Sequence, residues 1–378
     1  MIEKYYSGVI EQIYNRIGKE TRNIVMANYS NDFSIENLEV IRRYQSNEDN
    51  VFFAYSEFSY NTLVGAYEPF LDIICNMHRH FIGGSFDDFQ KECGVYYLHR
   101  QVLNSYYETG ECFREETVLL NEVAYEQRRM TKAIVDMLKR LSEVRPLMIV
   151  INRFQMASKS SIETIKYLID NPCTNIGIVL GVNVQVKGTD STVEVWDRIV
   201  ESLEDRSAVY YIGSAGQQKN HIRDTSDDEL YITTNFEQSI QEASNIMEFL
   251  DYEQARRGCR IIEHKIKFED AWIDEKSLRR FYLIYARTSV LLGEMSKAIE
   301  LTNEYKALIP ESDSEHYFSI YYFMKGTCYM YQGKLEKAEG CAKKAYDYAL
   351  LADDELLEFK SELLSVMIKM SGWYNIFF

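Results

Sequence analysis

Apolar positions follow one rhythm in the first two hundred or so residues of this chain and another beyond about residue 234. Ile2, Tyr5, Tyr6, Val9, Ile10, Ile13, Tyr14 and Ile17 recur at steps of three and four, which predicts a helix over 2–19 with Gly18 as its stop. Residues 23–27 read as a short strand, 28–34 as a turn-rich stretch, 35–44 as a helix and 51–55 as a second strand. Between 61 and 142 the pattern is mostly helical. Leu63, Tyr67, Phe70, Leu71, Ile74 and Met77 share one predicted face, and a long helix is predicted over 115–143. Pro146 then opens an apolar run at 147–151, the signature of a strand buried on both faces of a parallel sheet. A helix over 160–169, a break at Pro172, a strand over 176–182, a helix over 193–203 and a last strand over 208–212 complete the alternation. Strand and helix taking turns in this way predict a parallel α/β sheet.

The stretch 213–228 is small, polar and charged, and the predicted domain boundary falls there, giving domains at 1–225 and 226–378. Beyond it the pattern is purely helical and repeats at about forty residues. Ala255, Ala298 and Ala338 lie in equivalent helix starts, each five residues after Leu250, Gly293 or Gly333. The clearest unit contains Tyr322, Gly326, Tyr329, Gly333, Leu335, Ala338, Ala342 and Ala345, and it resembles the tetratricopeptide repeat. The resemblance implies helical hairpins that stack because each leaves an apolar face uncovered. Small residues at Gly326 and Ala338 are expected to let two helices of a hairpin approach closely, and Tyr322 and Tyr329 to fill the gap between hairpins. The aromatic-rich end at 371–378 makes a poor solvent face. It is expected either to mark a truncated chain or to pack on a partner or another domain.

Composition narrows the function. The 378 residues are 46% hydrophobic and 26% charged, with only four prolines, so a folded chain with a sizeable core is expected. A net charge of −16 repels nucleic-acid phosphates, and no basic run exceeds two residues, so direct nucleic-acid binding is not expected. The apolar runs are too short to span a bilayer, and the first twenty residues lack the apolar core of a signal peptide. A cytoplasmic protein is therefore expected, with no membrane partner. The seven cysteines are scattered, with no Cys-x-x-Cys spacing, and read as free thiols. His78 and His80 form a possible metal pair, but no supporting ligand pattern accompanies them. Hydrolase, zinc-protease and kinase signatures are absent from the sequence.

Residues 148–169 carry the most specific likeness. Met148, Ile149, Val150 and Ile151, with Ala157, Ser161, Ile162, Tyr167 and Leu168, resemble the Walker B strand and following helix of the signal-transduction ATPases with numerous domains. The likeness is to the large maltose-regulon-type, LuxR-family bacterial transcription regulators in particular. It implies a P-loop-NTPase-like sheet over roughly 1–213. The departures fall on the chemistry. Asn152 and Arg153 stand where that family has acids, Gln155 where it has histidine, Met156 where it has tryptophan and Ser158 where it has aspartate. The same comparison places the phosphate loop at 27–34, where Ala27 and Asp32 replace glycines, Phe33 replaces the lysine and only Ser34 matches. Asn183 stands at the end of the family's next strand, as a polar sensor or as turn chemistry.

Phosphoryl transfer needs a metal held by carboxylate, a lysine on the phosphates and a residue that positions water. The assigned positions supply none of these, so no catalytic residue and no metal is assigned and ATP is not expected as a cofactor. The expected protein is regulatory. It joins a degenerate ATPase-like module to repeats that bind a protein, a peptide or a small inducer. Two alternatives remain at this stage: an ATP-binding switch with a non-standard pocket, and a DNA-binding transcription regulator whose helix-turn-helix lies outside this chain.

Overall fold

A computed structural model describes residues 2–30, 38–45, 50–59, 63–112, 122–186, 193–212, 235–268 and 273–377. They fold into two compact units. The first is built from the described residues up to 212 together with 248–254, the second from 235–247 and 255–377. The predicted boundary at 225/226 lies outside the described residues.

The first unit is organised on five parallel strands: β1 (Ile24–Tyr29), β2 (Phe52–Glu57), β3 (Leu147–Asn152), β4 (Ile176–Asn183) and β5 (Val209–Ile212), in the order β2-β3-β4-β1-β5. Every residue of β3 and β4 is buried. Helices α1 (Ile2–Arg16) and α2 (Glu39–Gln45) cover one face. Tyr6, Val9, Ile10 and Ile13 of α1 and Val40 and Ile41 of α2 pack with Val25, Ala27 and Tyr29 of β1, Met148 and Val150 of β3, and Val179 of β4. Gly18 ends this layer in the left-handed region, with φ of +77°, as its place after the last apolar residue predicts.

Right-handed crossovers put the remaining connections on the opposite face. These are α6 (Val123–Val144) before β3, α7 (Lys159–Asp170) after β3 and α8 (Val193–Glu204) after β4, with α6 packed on α7 and α7 on α8. The excursion between β2 and α6 holds α3 (Phe70–Met77), a π turn at His78–Ile82, α4 (Phe86–Glu92) and α5 (Tyr97–Thr109). Two expectations change here. Helix α3 starts only at Phe70, because Tyr67 is held in a left-handed turn, its N–H donating to Ser160 Oγ. Helix α6 starts at Val123; residues 113–121 lie outside the described set, as does the turn predicted at 187–191.

The histidines of the π turn do not converge on a metal. Buried His78 exchanges a hydrogen bond with Tyr107 Oη at 3.1 Å among the rings of Phe86 and Phe89, whereas His80 donates to Asn76 O. Burial, reinforced by the Arg79 cation, pushes the His78 pKa below its ordinary value. The unfolded chain therefore binds this proton more readily than the folded one between the depressed value and about 6.5. The stabilisation from a neutral His78 is complete above about pH 6.5 and is lost as pH falls through the folded value. Comparing unfolding free energies between pH 8 and pH 5, we expect the drop to be smaller in His78→Phe than in the wild type.

The second unit is helical throughout: α9 (Phe236–Glu248), α10 (Tyr252–Phe268), α11 (Glu275–Leu291), α12 (Met295–Ala307), α13 (Ser314–Tyr331), α14 (Leu335–Leu351) and α15 (Glu355–Phe377). Short connections make sequential helices antiparallel neighbours, and α11 packs on α12, α13 on α14, and α14 on α15. The periodic residues mark the turns. Gly293 and Gly333 take φ of +78° and +73°, and Asp353 repeats the conformation after α14. After each, a backbone N–H returns to the carbonyl five residues back: Glu294 to Ser289, Lys334 to Tyr329 and Asp354 to Ala349, the bond that closes a Schellman cap. Leu250 has the same φ sign without a glycine's freedom.

Ala255, Ala298 and Ala338 are fully buried, as their spacing predicts. Gly326 is where α13 meets α14 and α15; a Cβ there would lie 3.2 Å from Cys341 Cβ, 3.1 Å from Leu364 Cδ2 and 3.4 Å from the Ala338 carbonyl. One of the two tyrosines differs from expectation. Tyr322 stacks on Tyr348 of α14, inside its own hairpin, whereas Tyr329 packs on a cluster drawn from Ala338 and Ala342 of α14 and Leu364 and Ile368 of α15. Adjacent Tyr321 is the ring that turns toward α12, under the Lys306 ammonium. One residue of helix rotates a side chain by about 100°, so Tyr321 and Tyr322 cannot share a face. All seven cysteines are free thiols; Cys75, Cys112, Cys259 and Cys328 are buried, and burial raises the Cys75 pKa to about 11.

Candidate functional site

In an open parallel sheet, ligands bind beyond the carboxyl ends of the strands, where successive connections depart to opposite faces. Here the chain leaves β1 toward β2 on the α1/α2 face, and it leaves β3 and β4 on the other. The candidate site is therefore the edge formed by the ends of β1, β3 and β4, with β2 beside them.

The pleat brings Tyr29, Asn152 and Glu57 to one face at this edge. Glu57 is paired in register with Asn152, and Tyr29 with Asn183. Tyr29 Oη donates to Asn152 Oδ1 at 2.6 Å, and both residues are buried. The Asn152 Nδ2 group has no partner among the described residues. Arg153 follows in the left-handed region, φ +54°, which turns its side chain back over the sheet end. Its Nη1 lies 3.0 Å from Glu57 Oε1, with about a fifth of each side chain exposed. Tyr55 Oη donates to the other carboxylate oxygen of Glu57. Tyr6 of α1 completes the group: burial above all, then the neighbouring Tyr29, Tyr55 and Glu57, push its phenol pKa well above the ordinary value, so it stays neutral.

Residues after β3 serve local structure. Gln155 Oε1 accepts from the Asn183 N–H at 3.3 Å. Ser158 is the N-cap of α7 and accepts from the Ser161 N–H. Asn183 Oδ1 accepts from the Gln185 N–H at 3.0 Å, the turn role considered for it. The start of α7 also receives a side chain from far along the chain. Buried Asp251 accepts from the Ser160 N–H at 3.0 Å and from the Gln254 N–H of α10 at 3.4 Å, so one carboxylate meets the positive ends of two helices. Gln254 Nε2 donates to Val64 O, and Phe249 stands edge-on to Tyr67.

The positions assigned to a phosphate loop divide. Ala27, Asn28 and Tyr29 belong to β1 and are paired with β4 on one side and β5 on the other. Their backbone groups are engaged in the sheet, whereas a phosphate cradle needs N–H groups turned outward together. Asp32, Phe33 and Ser34 lie outside the described residues. Sequence reasoning found Asn152 and Arg153 and missed Glu57, Tyr55, Tyr29 and Tyr6. The alternation Phe53, Tyr55, Glu57 was a usable signal for the first two, since it continues the strand past Tyr55.

Chemically, this edge has hydrogen-bonding capacity and one balanced ion pair. Among the described residues no cluster of three metal-ligating side chains occurs. A magnesium ion at the end of β3 would meet an amide already bonded to Tyr29 and a guanidinium of like charge. Compared with known protein families and with curated proteins, the chain matches no family model and no curated protein.

Proposed function

We propose that this chain is a regulatory protein in which a non-hydrolysing, P-loop-NTPase-like module is joined to tetratricopeptide-like hairpins that bind a protein, a peptide or a small inducer. The observation that carries this reading is the pairing at the end of β3. Asn152 is committed to Tyr29 and Arg153 to Glu57, so the strand end that would hold a catalytic metal is filled by the protein's own hydrogen bonds and charge pair. The strand order supports the module, because β1 and β3 are separated by β4 alone and their ends are close enough for Tyr29 to reach Asn152. Buried alanines after left-handed turns support the hairpins, since small residues at a fixed offset let successive helices close on one another. The proposed setting is cytoplasmic, with regulators of the signal-transduction ATPase type as relatives and no direct contact with nucleic acid.

Titration calorimetry with ATP and ADP, each with and without magnesium, tests the reading together with a phosphate-release assay on the purified chain. The expected result is no magnesium-dependent heat and no turnover. Magnesium-dependent nucleotide binding without turnover would move the assignment to a switch with a non-standard pocket. Turnover abolished by Arg153→Ala would overturn the non-hydrolysing reading.

A further inference from the structure

Helix α15 has two apolar faces, and the described residues cover one of them. Ser361, Leu364 and Ile368 are buried. Leu356, Phe359, Leu363, Val366 and Met370 are exposed, Phe359 by 62% and Met370 by 58%. The exposed set advances in alternating steps of three and four, the spacing of a helix seam that packs on another helix. The large hydrophobics exposed elsewhere among the described residues form no helix stripe of this length: Tyr96, Tyr97 and Tyr125 gather around Arg129, and Tyr5, Ile82, Val144 and Tyr211 stand apart. Dispersed residues of this kind are ordinary surface, whereas a continuous stripe marks an interface.

The chain also shows what such a stripe does. Aligning α13 with α15 so that buried Tyr321, Met324 and Cys328 fall on buried Ser361, Leu364 and Ile368 puts Ser319, Phe323, Gly326 and Met330 on Phe359, Leu363, Val366 and Met370. In α13 those four residues face α14. Ser319 Oγ donates to the Ala345 carbonyl, Gly326 approaches Cys341 and Ala338, and Phe323 and Met330 pack with Ala338 and Ala342. The exposed stripe of α15 is thus the position at which a preceding helix holds its hairpin partner.

We propose that this stripe is a homodimer interface in which α15 of one copy packs against α15 of a second. The described surface of the chain offers one apolar helix stripe of matching length, which is the stripe itself, and a two-fold pairing uses the same patch twice. The flanking charges fit. In the seam, Glu355 lies opposite Lys369 of the second copy if the helices run antiparallel, and opposite Lys360 if they run parallel. Glu362 meets its own symmetry mate only in the antiparallel case. Hydrophobic burial therefore supplies the affinity and the Glu355–lysine contacts contribute at the rim.

Sedimentation velocity of the 378-residue chain at about 1 μM and about 100 μM tests this. The expected result is a dimer at the higher concentration, and a monomer at both for Leu363→Glu/Val366→Glu with an unchanged far-ultraviolet circular dichroism spectrum. A wild type that stays monomeric at the higher concentration, or a folded double variant that dimerises as the wild type does, overturns the proposal. Should the double variant misfold, hydrogen exchange of the wild type at the two concentrations decides. Added protection at the higher concentration that centres on 355–371 supports the interface, and protection centred elsewhere, or none, overturns it.

Discussion

Asn152→Asp destabilises the first unit by about 3 kcal/mol at neutral pH and produces no ATPase. The substitution restores an acid at the end of β3, but at a fully buried position whose side chain has the Tyr29 hydroxyl as its one bonded partner among the described residues. It exchanges the Nδ2 group for a second carboxylate oxygen, and it adds a charge that Arg153, turned to Glu57, does not neutralise. A buried charge with incomplete compensation costs on the order of 3–5 kcal/mol, and the Tyr29 hydrogen bond offsets part of that. The pH dependence has a definite sign. Burial raises the pKa of the introduced carboxyl above its unfolded value of about 3.9, so the folded state binds that proton more tightly. The deficit relative to wild type is then smallest near pH 4 and grows as pH rises toward 7. Urea unfolding of both proteins at several pH values measures it; equal stability at neutral pH would show that the position is wetter than the structure makes it.

Gly326→Leu loosens the helical unit by about 2 kcal/mol or more, whereas Gly340→Ala tightens it by up to about 1 kcal/mol. Both glycines sit inside helices, and a better helix former gains about 1 kcal/mol at either. The surroundings decide the outcome. A Cβ at Gly340 meets nothing within 4 Å, so the gain stands. At Gly326 a Cβ already presses on Leu364, Cys341 and the backbone carbonyl of Ala338, and a leucine must displace two helices. Overpacking of this kind costs roughly 1–3 kcal/mol, and more where backbone is the obstacle. Thermal unfolding followed by circular dichroism, with hydrogen exchange to locate the change in α13–α15, reads both variants. A stabilised Gly326→Leu would mean that α13 does not approach its neighbours this closely.

The contrast between these positions shows what the sequence made legible. The central strands announced themselves, because β3 and β4 are buried on both faces and so appear as unbroken apolar runs. Two of the helical turns were equally plain, since the left-handed residues after α11 and α13 are glycines at a fixed offset from the next buried alanine. The extent of β1 was not. Asn28 opens a stretch rich in turn formers, and Tyr29 within it is satisfied by a side chain 123 residues away. No local pattern encodes that bond. Glu57 was obscured in a similar way, because its role rests on Arg153 from another strand end. The rotation of Tyr321 and Tyr322 depended on which neighbouring helix covers which face, which periodicity alone leaves open.

Asp251 bears on how this chain can be dissected. The polar stretch after β5 is an inviting place to cut, and a fragment ending there would contain every strand of the sheet. It would also leave the first turn of α7 without the carboxylate that Ser160 uses, Val64 without the amide of Gln254 and Tyr67 without the ring of Phe249. The sheet unit is discontinuous in sequence: seven residues, from the last of α9 into the first turn of α10, complete it. Fragments and chimaeras that respect the fold must carry residues 248–254 with the sheet, so the two units exchange as a nested pair rather than as consecutive blocks.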